Sequence, residues 1–457
     1  MPFEDLRQFL NLLEDKGDLL RVKKEVSTKY EIAAYIRKTS DLQGPALLFE
    51  KVKGHETPVA GGIFATRGRA LMAMEATKED ALQKFLNGLR NPIPPKIVKK
   101  APCQDVVVTG KSIDLYKLPI PIYSKKDNGP YITVGVQISK DPENGTKNAS
   151  IYRMQVKGKN KLGIMSHAFQ HLATQFSKAE AMNKPLDVAV AIGMDPVIPL
   201  ATQAKVPYGF DELEIAGGIR GEAVEVVKCK TVDLEVPATS EIVIEGKVLP
   251  GIREPEGPFG EFTGYYGKME NNPVVEVTAI THREKPIFQA GLTGLPITEN
   301  HVLKELPYEA MLYEELKKSF PEVQNVHFPP AGGSQLLAII SLKQRYKGEA
   351  KNVAVAALGS TSRPKYVIVV DDDIDIFDPV KVFWSIVFRA QPDEDFIIIP
   401  GVAGGPLDPS VREKEVTSIL GIDATRPFGV DFPEIVEIPG VEKVDLSNLI
   451  KKEKSKP

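Results

Sequence analysis

ASIYRMQVKGKNKLGIM, residues 149–165, reads as two strands folded back on each other at Gly158–Asn160. Its β-branched and aromatic residues flank a turn of the right chemistry, a pattern that favours a hairpin. The same grammar recurs in YITVGVQISKD (131–141), LDVAVAIG (186–193), EIVIEGKVLPG (241–251) and VVEVTAITHREKPIFQAGL (274–292), with one helix interrupting at about 167–182. So strand-rich a middle region, taken as 101–300, predicts a barrel or sandwich. Upstream, residues 1–100 read as a small α/β unit. Leu6, Phe9, Leu10 and Leu13 recur at helical spacing, ALLFEKV (46–52) and PVAGGIF (58–64) read as strands, and 78–89 reads as a helix. The Pro- and Lys-rich RNPIPPKIVKKAP (90–102) serves as a linker. Downstream, residues 301–457 alternate. A helix near 302–319 precedes the short apolar runs LLAIISL (336–342), NVAVAAL (352–358), YVIVV (366–370) and FIIIPG (396–401), with a helix in PVKVFWSIVFRAQ between the last two. Strands alternating with helices predict an α/β layer domain, and the tail KKEKSKP is expected to be disordered. The fold class is therefore α/β, in three units.

Composition sets the outer limits. At 457 residues the chain exceeds one average domain. Charged residues make up 26%, apolar ones 42%, and the net charge of −3 gives no basic excess for nucleic acid. Cys103 and Cys229 form neither a CxxC pair nor a disulfide framework, so a reducing, cytoplasmic setting is expected. No apolar run reaches membrane-spanning length, and acids from Glu4 onward are unlike a signal peptide. Walker A, GxGxxG, GxSxG and HExxH motifs are absent.

The chemistry concentrates in EPEGPFGEFTGYY, residues 254–266. Glu256 and Glu261 are separated by Gly257, Pro258 and Gly260, which rule out a regular helix. Such a loop can turn both acids into one cavity, with Phe259 and Phe262 excluding water and raising a carboxylate into the range of a general acid. The plainer alternative is a surface hairpin loop with two solvated acids. Arg153 lies in a strand whose alternation buries it, and a buried arginine needs an anionic partner; the loop acids are the obvious candidates. His167 and His171, four apart, share one helix face, but no Glu stands between them for a zinc-protease motif, and a capping or core role is the simpler one. Asp371–Asp373 could hold magnesium or simply close a buried strand, and AGGSQ (331–335) and AGGPLDPS (403–410) read as tight turns.

NASIYRMQVKGKNKLGIMSH (148–167), AGGIRGEAVEVVKC (216–229), DLEVPATSEIVIEG (233–246), PEGPFGEFTGYY (255–266) and DDDIDIFD (371–378) occur in that order. Together they resemble the UbiD family of reversible decarboxylases over essentially the whole chain. The resemblance implies an N-terminal α/β domain, a split β-barrel that binds flavin, and a C-terminal α/β domain used for oligomerisation as a dimer or hexamer. It implies prenylated FMN, supplied by a separate flavin prenyltransferase and held through manganese and potassium. Carried over, the metal ligands are Asn148, His167 and Glu212, with Glu214 as competitor for the last. Ser150, Ile151, Tyr152, Arg153, Met165, Ser166, His167, Ala168 and Phe169 would line the flavin.

The family's acid–arginine–acid network maps onto Glu256, Arg153 and Glu261. It implies non-oxidative decarboxylation of an α,β-unsaturated or aromatic acid through a covalent adduct with the cofactor. Glu261 would be the proton donor, Arg153 would hold the substrate carboxylate, and Glu256 would orient Arg153. The Lys/Glu/Ile-rich make-up is thermophile-like, which favours anhydromevalonate phosphate of the archaeal isoprenoid route over a hydroxybenzoate quinone precursor. Arg253 or Lys304 could meet such a phosphate, or be solvated surface charges. A flavin-binding oxidoreductase and a non-catalytic subunit of a carboxylase assembly are the alternatives, and the complete acid–arginine–acid set argues against both.

Overall fold

The computed structural model describes residues 2–167, 170–411 and 416–446. At its centre is a nine-stranded sheet. Across it run Tyr131–Ile132, Met154–Gly158, Lys161–Ile164, Glu270–His282, Ile242–Glu256, Leu186–Ile192, Val136–Lys140 and Lys147–Ile151, while Val106–Thr109 pairs with Glu270–His282 off this path. Hydrogen bonding does not join the two ends among the described residues, so the expected barrel is an open, wrapped sheet. The hairpin read at 149–165 is Met154–Gly158 against Lys161–Ile164. The chain breaks just before it, at Tyr152–Arg153, and that break frees Arg153 from the ladder.

The two longest strands carry the site. Ile242–Glu256 pairs antiparallel with Glu270–His282, and the register slips between Glu245 and Gly246 and again between Val248 and Arg253. Such slips bend a strand and sharpen its twist. Glu256 is the last strand residue before the turn. Burial is nearly continuous along Leu186–Ile192 and Val136–Lys140, and Tyr131, Met154, Leu162, Val188, Ile244, Val275 and Phe259 form one apolar cluster closed by Leu172 and Phe176 of the helix His171–Ala181.

The N-terminal sheet, Leu19–Val22, Ala46–Phe49 and Val59–Gly61, takes its fourth strand from Phe288–Gln289, far along the chain. Phe288 is buried there, which stitches the first unit to the second. The C-terminal sheet runs Val323–His327, Leu337–Leu342, Tyr366–Asp371, Val416–Asp423, Phe396–Ala403. One expected strand is a helix: NVAVAAL lies within Glu349–Leu358, where Ala350, Val353, Ala354, Ala357 and Leu358 are buried. That is helical spacing, and a short apolar run does not distinguish a strand from a buried helix by composition. Asp371 and Asp373 hold Arg389 at 2.6 and 2.8 Å, so the acidic run closes a buried strand. The tail KKEKSKP lies outside the described residues.

Candidate active site

Arg153, just ahead of the strand Met154–Gly158, meets Glu256, the last residue of the strand Ile242–Glu256. Arg153 donates from Nε to Glu256 Oε1 at 3.1 Å and from Nη2 to Oε2 at 2.7 Å. Such a fork fixes the guanidinium plane. Asn272 Nδ2 donates to Glu256 Oε2 at 3.0 Å, so that carboxylate is filled from both sides. The remaining nitrogen, Arg153 Nη1, is in contact with Glu261 Oε1. Glu256 is 0% exposed and Glu261 7%. Two buried acids thus share one cation. Phe259 lies under the guanidinium at 5.2 Å, and Tyr131 backs Phe259 with ring centroids 4.4 Å apart.

The turn between the acids is built by its backbone. Gly257 has φ +92°, and an added Cβ would meet Lys268 O at 2.9 Å, so this position requires glycine. Gly267 lies against the acid–arginine contact, where a Cβ would sit 3.1 Å from Glu261 Oε1. Asp127 accepts from Ser124 N at 2.7 Å and Gly260 N at 3.0 Å, and burial pushes its carboxyl above the usual range. The long helix Glu299–Lys317 fastens the loop from the other side. His301 Nδ1 accepts from Thr298 N at 3.1 Å, and Nε2 therefore donates to Phe262 O at 2.7 Å. Burial pushes His301 down to about 4, keeping the ring neutral. Asn272, Tyr131 and His301 were not foreseen from the sequence. Only His301 had a local signal, a Thr298-x-x-His301 variant of the capping box.

A second centre surrounds Glu212, in the first turn of the helix Glu212–Arg220 that Asp211 caps. Glu212 is 3% exposed and accepts Ala149 N at 2.8 Å through Oε2. Its Oε1 lies 4.0 Å from His171 Nδ1. Burial pushes this carboxyl up to about 8. Asn148, 2% exposed, adjoins Ala149 on the neighbouring strand. Glu214 is half-buried, and its backbone carbonyl receives Ile93 N at 2.9 Å. Thus the imidazole nearest Glu212 is His171. His167 feels the charges of Arg153 and Glu270, and burial, the larger effect, lowers its pKa. No three His, Cys, Asp or Glu residues converge on a metal-sized site among the described residues, so a cation here would need the Asn148 amide.

Between the centres, Tyr152 is buried, and Ser150, Ile151, Met165, Ser166 and His167 are half-buried. Asn148 Nδ2 and Ser166 Oγ are buried with no hydrogen-bond partner. Orphaned polar atoms call for a polar ligand or water. A cavity of about 260 Å³ opens beside Ser166 and Asn272. Ala168 and Phe169 lie outside the described residues. Arg253 is a surface charge, paired with Glu180 at 2.9 Å and stacked on Phe176. Lys304 is partly buried over the Phe262 ring, its centroid 4.1 Å away.

Family models for the 3-octaprenyl-4-hydroxybenzoate carboxy-lyase match in three parts: the N-terminal domain over residues 10–89, the Rift-related domain over 96–296 and the C-terminal domain over 301–424. The chain is 38% identical to an uncharacterized protein of Archaeoglobus fulgidus, over 97% of each. Its fold superposes on the UbiD-class enzyme HmfF of Pelotomaculum thermopropionicum in complex with FMN, with TM-score 0.92 and 43% identity, covering 97% of this chain and 99% of that one. The vanillic acid decarboxylase of Sedimentibacter hydroxybenzoicus matches with TM-score 0.89 and 34% identity over the full length of both. Ordered motifs, three matching domains and the buried acid–arginine–acid cluster lead to one conclusion: the chain belongs to the UbiD family of carboxy-lyases.

Proposed function

We propose that this chain is a prenylated-FMN-dependent decarboxylase of an α,β-unsaturated or aromatic carboxylic acid, acting reversibly. The observation that carries the proposal is Arg153 held between the buried carboxylates of Glu256 and Glu261. Structures of the relative HmfF with FMN and with prenylated FMN support the choice of cofactor. Losing CO2 from an sp2 carbon leaves a carbanion without stabilisation, and prenylated FMN, when bound, supplies the electron sink that no side chain offers.

The chain's own residues do the rest. Glu256, tied to Arg153 and Asn272, fixes the guanidinium. Arg153 then holds the substrate carboxylate in one orientation. Glu261 delivers the proton to the carbon that loses CO2, and Phe259 and Phe262, both buried, exclude water from that step.

Glu212, Asn148 and an imidazole form an oxygen-rich donor set suited to manganese rather than to a thiolate-seeking metal, with potassium beside it. Its buried carboxyl, with no lysine or arginine in salt-bridge reach among the described residues, fits a cation that anchors the cofactor's phosphate. His171 is the first choice for the imidazole because of its 4.0 Å approach, and His167 the second. Ser150–Arg153 and Met165–Phe169 would line the flavin.

The three units divide the labour: 1–100 supports the core, 101–300 holds the cofactor, and 301–457 assembles the homo-oligomer. Assembly is supported by the helix Pro379–Arg389, which leaves Val380, Phe383, Val387 and Phe388 between 65% and 75% exposed. The unpaired thiols of Cys103 and Cys229 suit a cytoplasmic setting, where a flavin prenyltransferase would supply the cofactor. No helix is long and apolar enough to cross a membrane among the described residues. Anhydromevalonate phosphate is the first substrate choice, on the Lys/Glu/Ile-rich make-up, and a hydroxybenzoate the second.

The test is co-expression with a flavin prenyltransferase and purification without oxygen. Bound prenylated FMN with stoichiometric manganese, and CO2 release in an acid screen, are expected. Unmodified FMN or no flavin, under conditions that mature a known relative, would overturn the reading.

A further inference from the structure

The run between the two acids is pinned almost residue by residue. Gly257 N donates to Gln155 Oε1 at 3.3 Å, and Pro258 O accepts from Asn128 N at 3.2 Å. Gly260 N donates to Asp127 Oδ1 at 3.0 Å, and Phe262 O takes His301 Nε2 at 2.7 Å. Around Glu261 the loop closes on itself, with Glu261 N on Tyr265 O and Gly267 N on Phe259 O, both at 2.9 Å. Glu256 ends a long strand, whereas Glu261 lies in the turn that follows. Whatever fixes that turn fixes Glu261.

Two of those pins come from one short segment, residues 124–128. Lys126 adds a third contact: its N donates to the Tyr266 hydroxyl at 3.2 Å, and its ammonium lies 5.5 Å over the same ring. Gln155 Nε2 donates to Asn128 O, so Gln155 ties the segment to Gly257 as well. A Cβ on Gly260 would sit 3.1 Å from Ser124 Oγ, which shows how closely the turn packs on the segment. Just ahead of it, Ile122 exchanges backbone hydrogen bonds with Thr28 and Tyr30 of the first unit, at 3.0 and 2.9 Å. The segment is therefore a clasp that braces the acid loop against the N-terminal unit.

Asp127 is the centre of the clasp. It is 9% exposed and has no ion pair among the described residues. A buried carboxylate without a cation is costly unless N–H donors face it. Both of its oxygens are used: Oδ2 accepts Ser124 N at 2.7 Å within the segment, while Oδ1 reaches 133 residues along the chain to Gly260 N. An amide side chain accepts on one oxygen only, so this pair of contacts calls for a carboxylate. Burial raises the Asp127 pKa, and the Ser124 and Gly260 amides and the charge of Arg153 work against that rise.

We propose that Asp127 is the positioning residue of the proton donor: by holding Gly260 N it sets the backbone from which the Glu261 side chain reaches Arg153 Nη1. This rests on the decarboxylase reading above. Asp127 makes no hydrogen bond or ion pair to Arg153 among the described residues and acts through one peptide unit. Arg153 is fixed separately, by the fork onto Glu256 that Asn272 backs. Losing Asp127 therefore displaces the acid and leaves the carboxylate-binding guanidinium in place. A displacement of about 1 Å at a reacting group costs about 10²-fold in rate.

Asp127→Ala, Asp127→Asn and Lys125→Ala are compared with the wild-type protein in two measurements. Lys125, an exposed side chain of the same segment, is the control. The first measurement is amide hydrogen exchange across residues 257–267 in cofactor-free protein. Exchange should speed up about 10-fold or more in Asp127→Ala, as expected for loss of a charged hydrogen bond. It should speed up less in Asp127→Asn, which keeps one acceptor oxygen, and not at all in Lys125→Ala. Unchanged exchange in both Asp127 variants overturns the clasp.

The second measurement is the steady-state kinetics of cofactor-loaded enzyme. In Asp127→Ala, kcat should fall about 10- to 100-fold at unchanged KM and unchanged flavin per chain, with partial recovery in Asp127→Asn. Should Asp127→Ala not fold, Asp127→Asn, which has nearly the same shape, carries both measurements against Lys125→Ala. Faster exchange with wild-type kcat, or a fall in kcat matched by an equal fall in bound flavin, overturns the positioning role. Turnover of no acid by the loaded wild-type enzyme, with exchange altered as stated, removes the decarboxylase reading and supports the hold of Asp127 on the acid loop.

Discussion

Glu256 and Glu212 are buried almost equally, at 0% and 3% exposure, and their surroundings are opposite. Glu256 is forked onto Arg153 and tied to Asn272, with Glu261 on the same guanidinium. Glu212 has a backbone amide on one oxygen and an imidazole 4.0 Å from the other. The first centre meets its acids with a cation of the protein, and the second carries a carboxyl pushed up to about 8. A buried acid is tolerable only when paired, protonated or bound to a cation. The comparison therefore separates a centre whose acids meet a cation of the protein from one whose acid meets none among the described residues, in keeping with the proton-transfer and metal roles proposed above.

The sharpest way to break this contrast is Glu261→Gln. Turnover should fall about 10³-fold or more, within the range for a positioned general acid, while bound flavin stays constant. Loss of flavin instead would remove the proton-donor role. Next comes stability. Arg153→Met strands two buried acids and should cost about 3–5 kcal/mol in chemical denaturation. Glu212→Gln in metal-free protein should cost little. Its folded carboxyl titrates near 8, against a usual value near 4.5, so its contribution is present below about pH 4.5 and is lost as pH rises through about 8. The wild-type protein should lose that increment between these limits, and the Gln variant should not.

Asn148→Ala and His171→Ala should each lower manganese and flavin occupancy together, by about 10-fold or more. Unchanged metal in His171→Ala with loss in His167→Ala would move the imidazole assignment. His301 offers a smaller, pH-resolved effect. Its pKa is lowered from 6.5 to about 4, so its stabilisation holds above 6.5 and fades as pH falls through about 4. Melting temperatures between pH 7 and 4 should fall less steeply in His301→Asn. Arg253→Met, which removes an exposed pair, should cost less than about 1 kcal/mol.

The sequence alone determined what local patterning can encode. The hairpin around Gly158–Asn160, the central strands, the helix over Pro379–Arg389 and the need of Arg153 for an anion all follow from period, turn chemistry and the cost of a buried charge. The motif order was enough to identify the family. NVAVAAL failed as a strand because seven apolar residues do not reveal their period, and only packing chose the helix. The tertiary structure decided everything that depends on distant residues meeting. It brought Asn272 to Glu256, His301 to the Phe262 carbonyl and Phe288 into the N-terminal sheet. It also set His171 rather than His167 beside Glu212, and Asp127 beside Gly260. Spacing along a chain fixes which residues share a face. Which faces meet, and so which charges are balanced and which are left over, is settled only when the strands pair and the core closes.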